Sequence, residues 1–119
     1  MTTEGFEGFY IETRNYGATA AFWSALGFDK VLETDHGSGQ WEHPGGGPYV
    51  FIAEQHDRDL ETHPVLRVAD AAAFNPSRPP DFVQPFTPQH WGVMEAIVRD
   101  PDGRQVSLQA PMTDAEHRG

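Results

Sequence analysis

The second half of this chain repeats the first. Asn15 and Asp70 each follow an alternating apolar stretch and precede an Ala-rich one, 55 residues apart. Leu26-Gly27-Phe28 recurs as Pro80-Asp81-Phe82 at an offset of 54, and Pro44-x-Gly46 recurs as Pro101-x-Gly103 at an offset of 57. Three landmarks at nearly one spacing define a unit of strand, helix and three strands, used twice. A unit of this kind does not close a core alone and pairs with its neighbour.

Local pattern fills in the unit. Alternation over 6–13 predicts a strand with Phe9 and Ile11 on one face and Gly8, Tyr10 and Glu12 on the other. Asn15 caps a helix over 18–26, with Ala21, Phe22, Ala25 and Leu26 as its core-facing stripe and Trp23 at the helix–sheet edge. Gly27 stops it. Strands over 28–34, 40–43 and 49–53 follow, separated by turns at 35–39 and 44–48. In the second unit a strand over 64–68 leads to a short helix over 71–74, which Pro76, Pro79 and Pro80 prevent from continuing. Strands over 81–86, 92–99 and 104–109 complete it, the last two joined by the turn Asp100-Pro101-Asp102-Gly103. The polar tail 111–119 is expected to fray.

Composition narrows the function classes. The 119 residues are 38% apolar, with eight Phe, three Trp and three Tyr, which is a folded domain's composition. Eighteen acidic against eight basic residues give a net charge of −10, so a nucleic-acid partner is not expected. The acidity suits a cationic ligand and equally serves plain solubility. The sequence has no Cys, which removes disulfides, thiol catalysis and iron–sulfur ligation. No apolar run is long enough for a membrane span, and the N-terminus MTTEGFEGF has no signal-peptide pattern, so no membrane partner and a cytoplasmic location are expected.

Ala21-Phe22-Trp23-x-x-Leu26-Gly27-Phe28, and Trp91-Gly92 followed by Arg99-Asp100-Pro101-Asp102-Gly103, carry a resemblance to a known family. Across residues 6–110 the chain resembles the vicinal oxygen chelate superfamily of glyoxalases, bleomycin resistance proteins and extradiol dioxygenases. The resemblance implies an α+β fold of two tandem βαβββ modules forming a half-barrel pair around a shared cavity. It makes residues 1–119 one domain, with module one at 6–54, a connector at 55–62, module two at 63–110 and a tail at 111–119. Metal-dependent members hold a divalent ion with His, Glu or Gln from the first and last strands of the modules. Carried over by register, those slots fall on Gly8, His63, Val50 and Ser107, so His63 alone keeps a usable ligand. A one-residue slip of the first strand would offer Glu7 but would turn Phe9 and Ile11 out of the core.

Strand parity supplies a candidate cavity lining: Tyr10 and Glu12 from the first strand, His63 and Arg67 from the fifth, and Gln105, Ser107 and Gln109 from the eighth. A Glu12–Arg67 ion pair in a wet barrel and a polar floor that orients a ligand both fit this set. Trp41 and Trp91 occupy similar places in the two modules, and the resemblance implies a clamp for a flat ligand. His36, His43, His56 and His90 lie in or beside turns, where solvated His is the usual explanation. Ser24 and Ser107 have no evident His and acid partners, and Gly45-Gly46-Gly47 lacks the Lys-Ser/Thr of a phosphate loop.

The function expected is therefore that of a metal-free small-molecule binder of the bleomycin-resistance type. Its ligand would be an aromatic or cationic antibiotic, held without any cofactor or catalytic residue. The alternative is a metal-dependent lyase, isomerase or dioxygenase with an atypical ligand set around His63. A third possibility is a dimer whose cavity is filled by its own side chains. A homodimer is what the resemblance implies.

Overall fold

The computed structural model describes residues 2–112. The tail positions 113–119 of the sequence reading lie outside the described residues. The chain divides into two compact units, one spanning Glu7–His63 and the other running from Pro64 onward together with the N-terminal residues up to Phe6.

The first unit contains β1 (Phe6–Thr13), α1 (Tyr16–Ala25), β2 (Asp29–Glu33), β3 (Ser38–Glu42) and β4 (Tyr49–Glu54). Its strands run in the order β2-β3-β4-β1. The β2–β3 and β3–β4 pairs are antiparallel, while β1 and β4 are parallel, with Gly8 opposite Tyr49 and Tyr10 opposite Phe51. Asn15 Oδ1 accepts the Ala18 N–H at 3.0 Å and starts α1. Gly27, at φ 96°, turns the chain out of it. Trp41, Val50 and Ile52 form the core, with Ile11, Tyr16, Ala20, Trp23 and Phe28 packed against them.

The second unit repeats this plan with β5 (Thr62–Arg67), a single 3-10 turn (Ala71–Ala73), β6 (Asp81–Pro88), β7 (Val93–Arg99) and β8 (Gln105–Pro111). The order is β6-β7-β8-β5, again with the first and last strands parallel. Its core is Val68, Met94, Ala96, Val98, Leu108 and Ala110. The duplicated βαβββ reading holds, with one modification. The second helix shrinks to one turn under its Asp70 cap, because the prolines that follow remove the donors a longer helix needs.

One face was read the wrong way round. Phe22 and Leu26 are 58% and 54% exposed, so the stripe with Ala21 and Ala25 points outward. The inner face is Tyr16, Ala20 and Trp23, at helical spacing, and Trp41 anchors it by donating its indole N–H to Ser24 Oγ at 3.1 Å. Residues 15–28 contain no charged residue, so both faces of α1 are apolar and amphipathicity could not choose between them. Among the described residues, no helix is long and apolar enough to cross a membrane.

Candidate functional site

The face of the first unit opposite α1 is a bed of rings. Parity along β4 sends Val50 and Ile52 into the helix-side core and leaves Tyr49 and Phe51 on the other face, beside Gly8 and Tyr10 of β1. A Cβ at Gly8 would run into the Tyr49 ring. The ring therefore lies against the bare backbone of its cross-strand partner, an arrangement only Gly permits. Next along β1, Tyr10 stacks on Phe51 with ring centroids 6.3 Å apart and planes 14° from parallel. On its other side Tyr10 stacks on His63, at 5.0 Å and 29°. Phe51, Tyr10 and His63 thus form a continuous near-parallel stack, with Tyr49 beside it.

The bed ends at Glu12, whose side chain is 1% exposed. Its carboxylate is saturated. Oε1 accepts from Arg58 Nη1 at 2.6 Å and from the Glu61 N–H at 3.0 Å. Oε2 accepts from Arg58 Nη2 at 2.6 Å and from the Tyr10 hydroxyl at 2.9 Å. Burial alone pushes this carboxyl up, and the bonds from Arg58, Tyr10 and Glu61 more than offset it, holding Glu12 below the usual carboxylate range. Burial first, then the bond to Glu12 and its charge, pushes the Tyr10 phenol well above its ordinary value. The partner of Glu12 is therefore Arg58 on the connector, where the sequence reading had offered Arg67. One signal pointed there: Arg58 is the single basic residue in the run EQHDRDLETH. A buried carboxylate needs a cation or a protonated form.

The second unit has a more polar face on the corresponding side. Ser107 is buried opposite Val65, Arg67 lies opposite Gln109, and Gln105 opposite Arg99. Gln109 Nε2 donates to Glu95 Oε2 at 3.0 Å, and Glu95 is a residue the sequence reading did not single out. Trp91 lies in the turn before β7, 51% exposed, with its indole edge-on to His90 at 4.9 Å.

Of the nine predicted lining residues, Tyr10, Glu12 and His63 come together in the first unit. Arg67, Ser107 and Gln109 lie on neighbouring strands of the second, with Gln105 further along β8. Trp41 does not belong to the set. It is 2% exposed and packed under α1, on the opposite face from Tyr10. Nor is it the counterpart of Trp91. The offset of 57 that relates Pro44 to Pro101 places Val98 opposite Trp41, and Val98 is likewise a core residue. Tyr49 and Phe51 were missed because 49–53 read as one buried apolar strand, although its alternation with Val50 and Ile52 was the available signal.

A divalent metal, which the family resemblance brings into question, does not fit the donors present. Val50 points into the helix-side core, Gly8 is covered by the Tyr49 ring, and β1 keeps the register that places Glu7 on the other face from Gly8. Among the described residues, no three His, Cys, Asp or Glu side chains are grouped to hold an ion.

No sequence-family model and no curated protein matches this chain. Solved structures do. A glyoxalase/bleomycin resistance protein/dioxygenase superfamily member from Vibrio splendidus 12B01 aligns over 87% of this chain and 96% of its own, at 15% identity and a TM-score of 0.67. A structure described as an NAD-dependent benzaldehyde dehydrogenase from Legionella pneumophila aligns over 87% and 97%, at 12% identity and a TM-score of 0.62. BphC, a halotolerant catechol dioxygenase, aligns over 94% of this chain and 41% of its own, at 12% identity and a TM-score of 0.60. Such different activities on one backbone say that the likeness concerns architecture and not chemistry. With two βαβββ units of matching strand order, this chain has the α+β fold of the glyoxalase/bleomycin resistance protein/dioxygenase superfamily.

Proposed function

We propose that this protein is a metal-free binder of a flat, positively charged aromatic molecule, seated on the ring bed of the first unit. The observation that carries the reading is the Tyr49 ring lying over Gly8: where the family resemblance implies a metal ligand, this chain has an aromatic surface. Charge supports it. Glu7–His63 holds ten acidic and three basic residues, a net −7, while the remaining residues hold eight and five, a net −3. A cation is drawn to the unit that carries the rings, and a planar one gains stacking and cation–π contact there. Sequestration of an antibiotic of that chemistry, without altering it, is the biological role that follows.

The test is titration of the protein with proflavine, a planar aromatic cation, followed by calorimetry. Saturable one-to-one binding that weakens at least tenfold in Tyr49→Ala, with an unchanged fold, is expected. No saturable binding, or binding indifferent to Tyr49→Ala, overturns the proposal. The competing reading, a metal-dependent lyase, isomerase or dioxygenase with His63 as a ligand, requires about one ion per chain after incubation with Mn, Fe, Ni or Zn.

A further inference from the structure

Glu12 has no lone pair left for a ligand. Each of its oxygens takes one bond from Arg58 and a second from the Glu61 N–H or the Tyr10 hydroxyl. An ion pair buried on one side is a poor source of net stability, because desolvation consumes most of the attraction. What this pair supplies is direction. Tyr10 is the middle ring of the stack, between Phe51 and His63, and its hydroxyl is fixed on Glu12 Oε2. Arg58 Nη2 in turn fixes that oxygen.

Arg58 reaches Glu12 from a connector that is held to β1 at both ends. The Gln55 N–H donates to the Thr13 carbonyl at 2.9 Å, and the Glu12 N–H to the Glu61 carbonyl at 2.9 Å. Between these points Arg58 Nη1 also donates to the Asp59 carbonyl at 3.1 Å, which aims the guanidinium. We propose that Arg58, though no part of the ring bed, is a positioning residue for it: through Glu12 it holds the Tyr10 ring in the near-parallel stack. The consequence for a ligand rests on the proposed binding function, while the placement of Tyr10 does not. A ring already held when the ligand arrives costs no ordering entropy on binding.

Position and charge predict opposite signs. Arg58→Met takes a cation from an acidic unit, so charge alone would leave proflavine bound as tightly or more tightly. Loss of position weakens it. Calorimetric titration with proflavine compares the wild type, Arg58→Met, Tyr10→Phe and the double variant. Each single variant is expected to lose about three- to tenfold in affinity. The double variant is expected to lose no more than either, because both substitutions cut one chain of bonds. Arg58→Lys keeps the charge but not the two-pronged grip, and an intermediate affinity is expected.

NMR of the ligand-free proteins with ring-labelled tyrosine reads the position directly. The upfield shift that the Phe51 and His63 rings impose on Tyr10 is expected to shrink in Arg58→Met, with the amide signals of β2 and β3 unmoved. If Arg58→Met does not fold, Arg58→Lys is read in its place by both methods. Unweakened binding in the Arg58 variant, additive losses in the double variant, or an unchanged Tyr10 shift overturns the proposal. If the wild type binds no proflavine, the binding function fails, and the Tyr10 shift alone decides whether Arg58 positions the ring.

Discussion

Arg58 grips Glu12 with both ends of its guanidinium, at 2.6 Å to each carboxylate oxygen, and so ties the connector to β1. The carboxylate is buried and the guanidinium is half exposed, so the two partners are not equivalent. Glu12→Ala strips the acceptor from Arg58, Tyr10 and the Glu61 N–H together. It is expected to cost about 2–4 kcal/mol in urea unfolding. Arg58→Met is also destabilising, because it leaves a buried carboxylate without its cation. In that background Glu12→Gln is expected to cost less than in the wild type, which a double-mutant cycle measures.

Acid should destabilise the protein through the same carboxylate. The folded value of Glu12 lies below its ordinary 4.5, so its contribution is present above about pH 4.5 and is lost as pH falls through the folded value. Tyr10 works in the opposite direction. Its folded value lies above 10, so the protonated phenol favours the fold up to about pH 10, and that contribution declines above it. Glu12→Gln is expected to make the acid limb of the melting-temperature profile shallower. An unchanged acid limb in Glu12→Gln would assign acid sensitivity to the exposed carboxylates.

Gly8→Ala places a methyl group inside the Tyr49 ring's position. A cost of about 1–3 kcal/mol is expected from overpacking. Tyr49→Ala in the same chain is expected to recover most of it. A Gly8→Ala protein as stable as the wild type would show that the ring is free to move off the strand.

Ionic strength tests the part that charge plays in binding. Proflavine affinity is expected to fall several-fold between about 50 and 500 mM salt, as screening removes the pull of the acidic unit. A flat salt response would assign the acidity to solubility alone.

Trp41→Phe removes the bond to Ser24 and part of the helix–sheet core, so a lower melting temperature is expected. Proflavine affinity is expected to stay within about twofold, since this side chain is on the other face of the sheet. A large loss of affinity with intact stability would restore Trp41 to the ligand site.

The repeat made the architecture legible, because capping residues, turn prolines and strand alternation all act locally and recur at one spacing. The parity of β1, β5 and β8 was legible for the same reason. The direction of α1 was not: with no charged residue over 15–28, only the fit of Tyr16, Ala20 and Trp23 against Trp41 decides it, and that is a tertiary fact. The partner of Glu12 was hidden too. Arg58 lies 46 residues away on a segment without periodic pattern. Trp41 and Trp91 misled because their identity suggested an equivalence that the repeat offset, applied strictly, assigns to Val98.

The parallel pairing of first and last strands also bears on how the chain reaches this state. Gly8 must find Tyr49 across 41 residues, and Val65 must find Ser107 across 42. Closing either loop costs about 3 kcal/mol of chain entropy, so topology gives neither half a head start. The tie is broken by helical contacts, the most local a chain can make, which the first half has in α1 and the second half has only as a single turn. In a pulsed hydrogen-exchange refolding experiment, amides of α1, β3 and β4 should gain protection before those of β7 and β8. The shortening of one helix would then have turned two equal repeats into a leader and a follower.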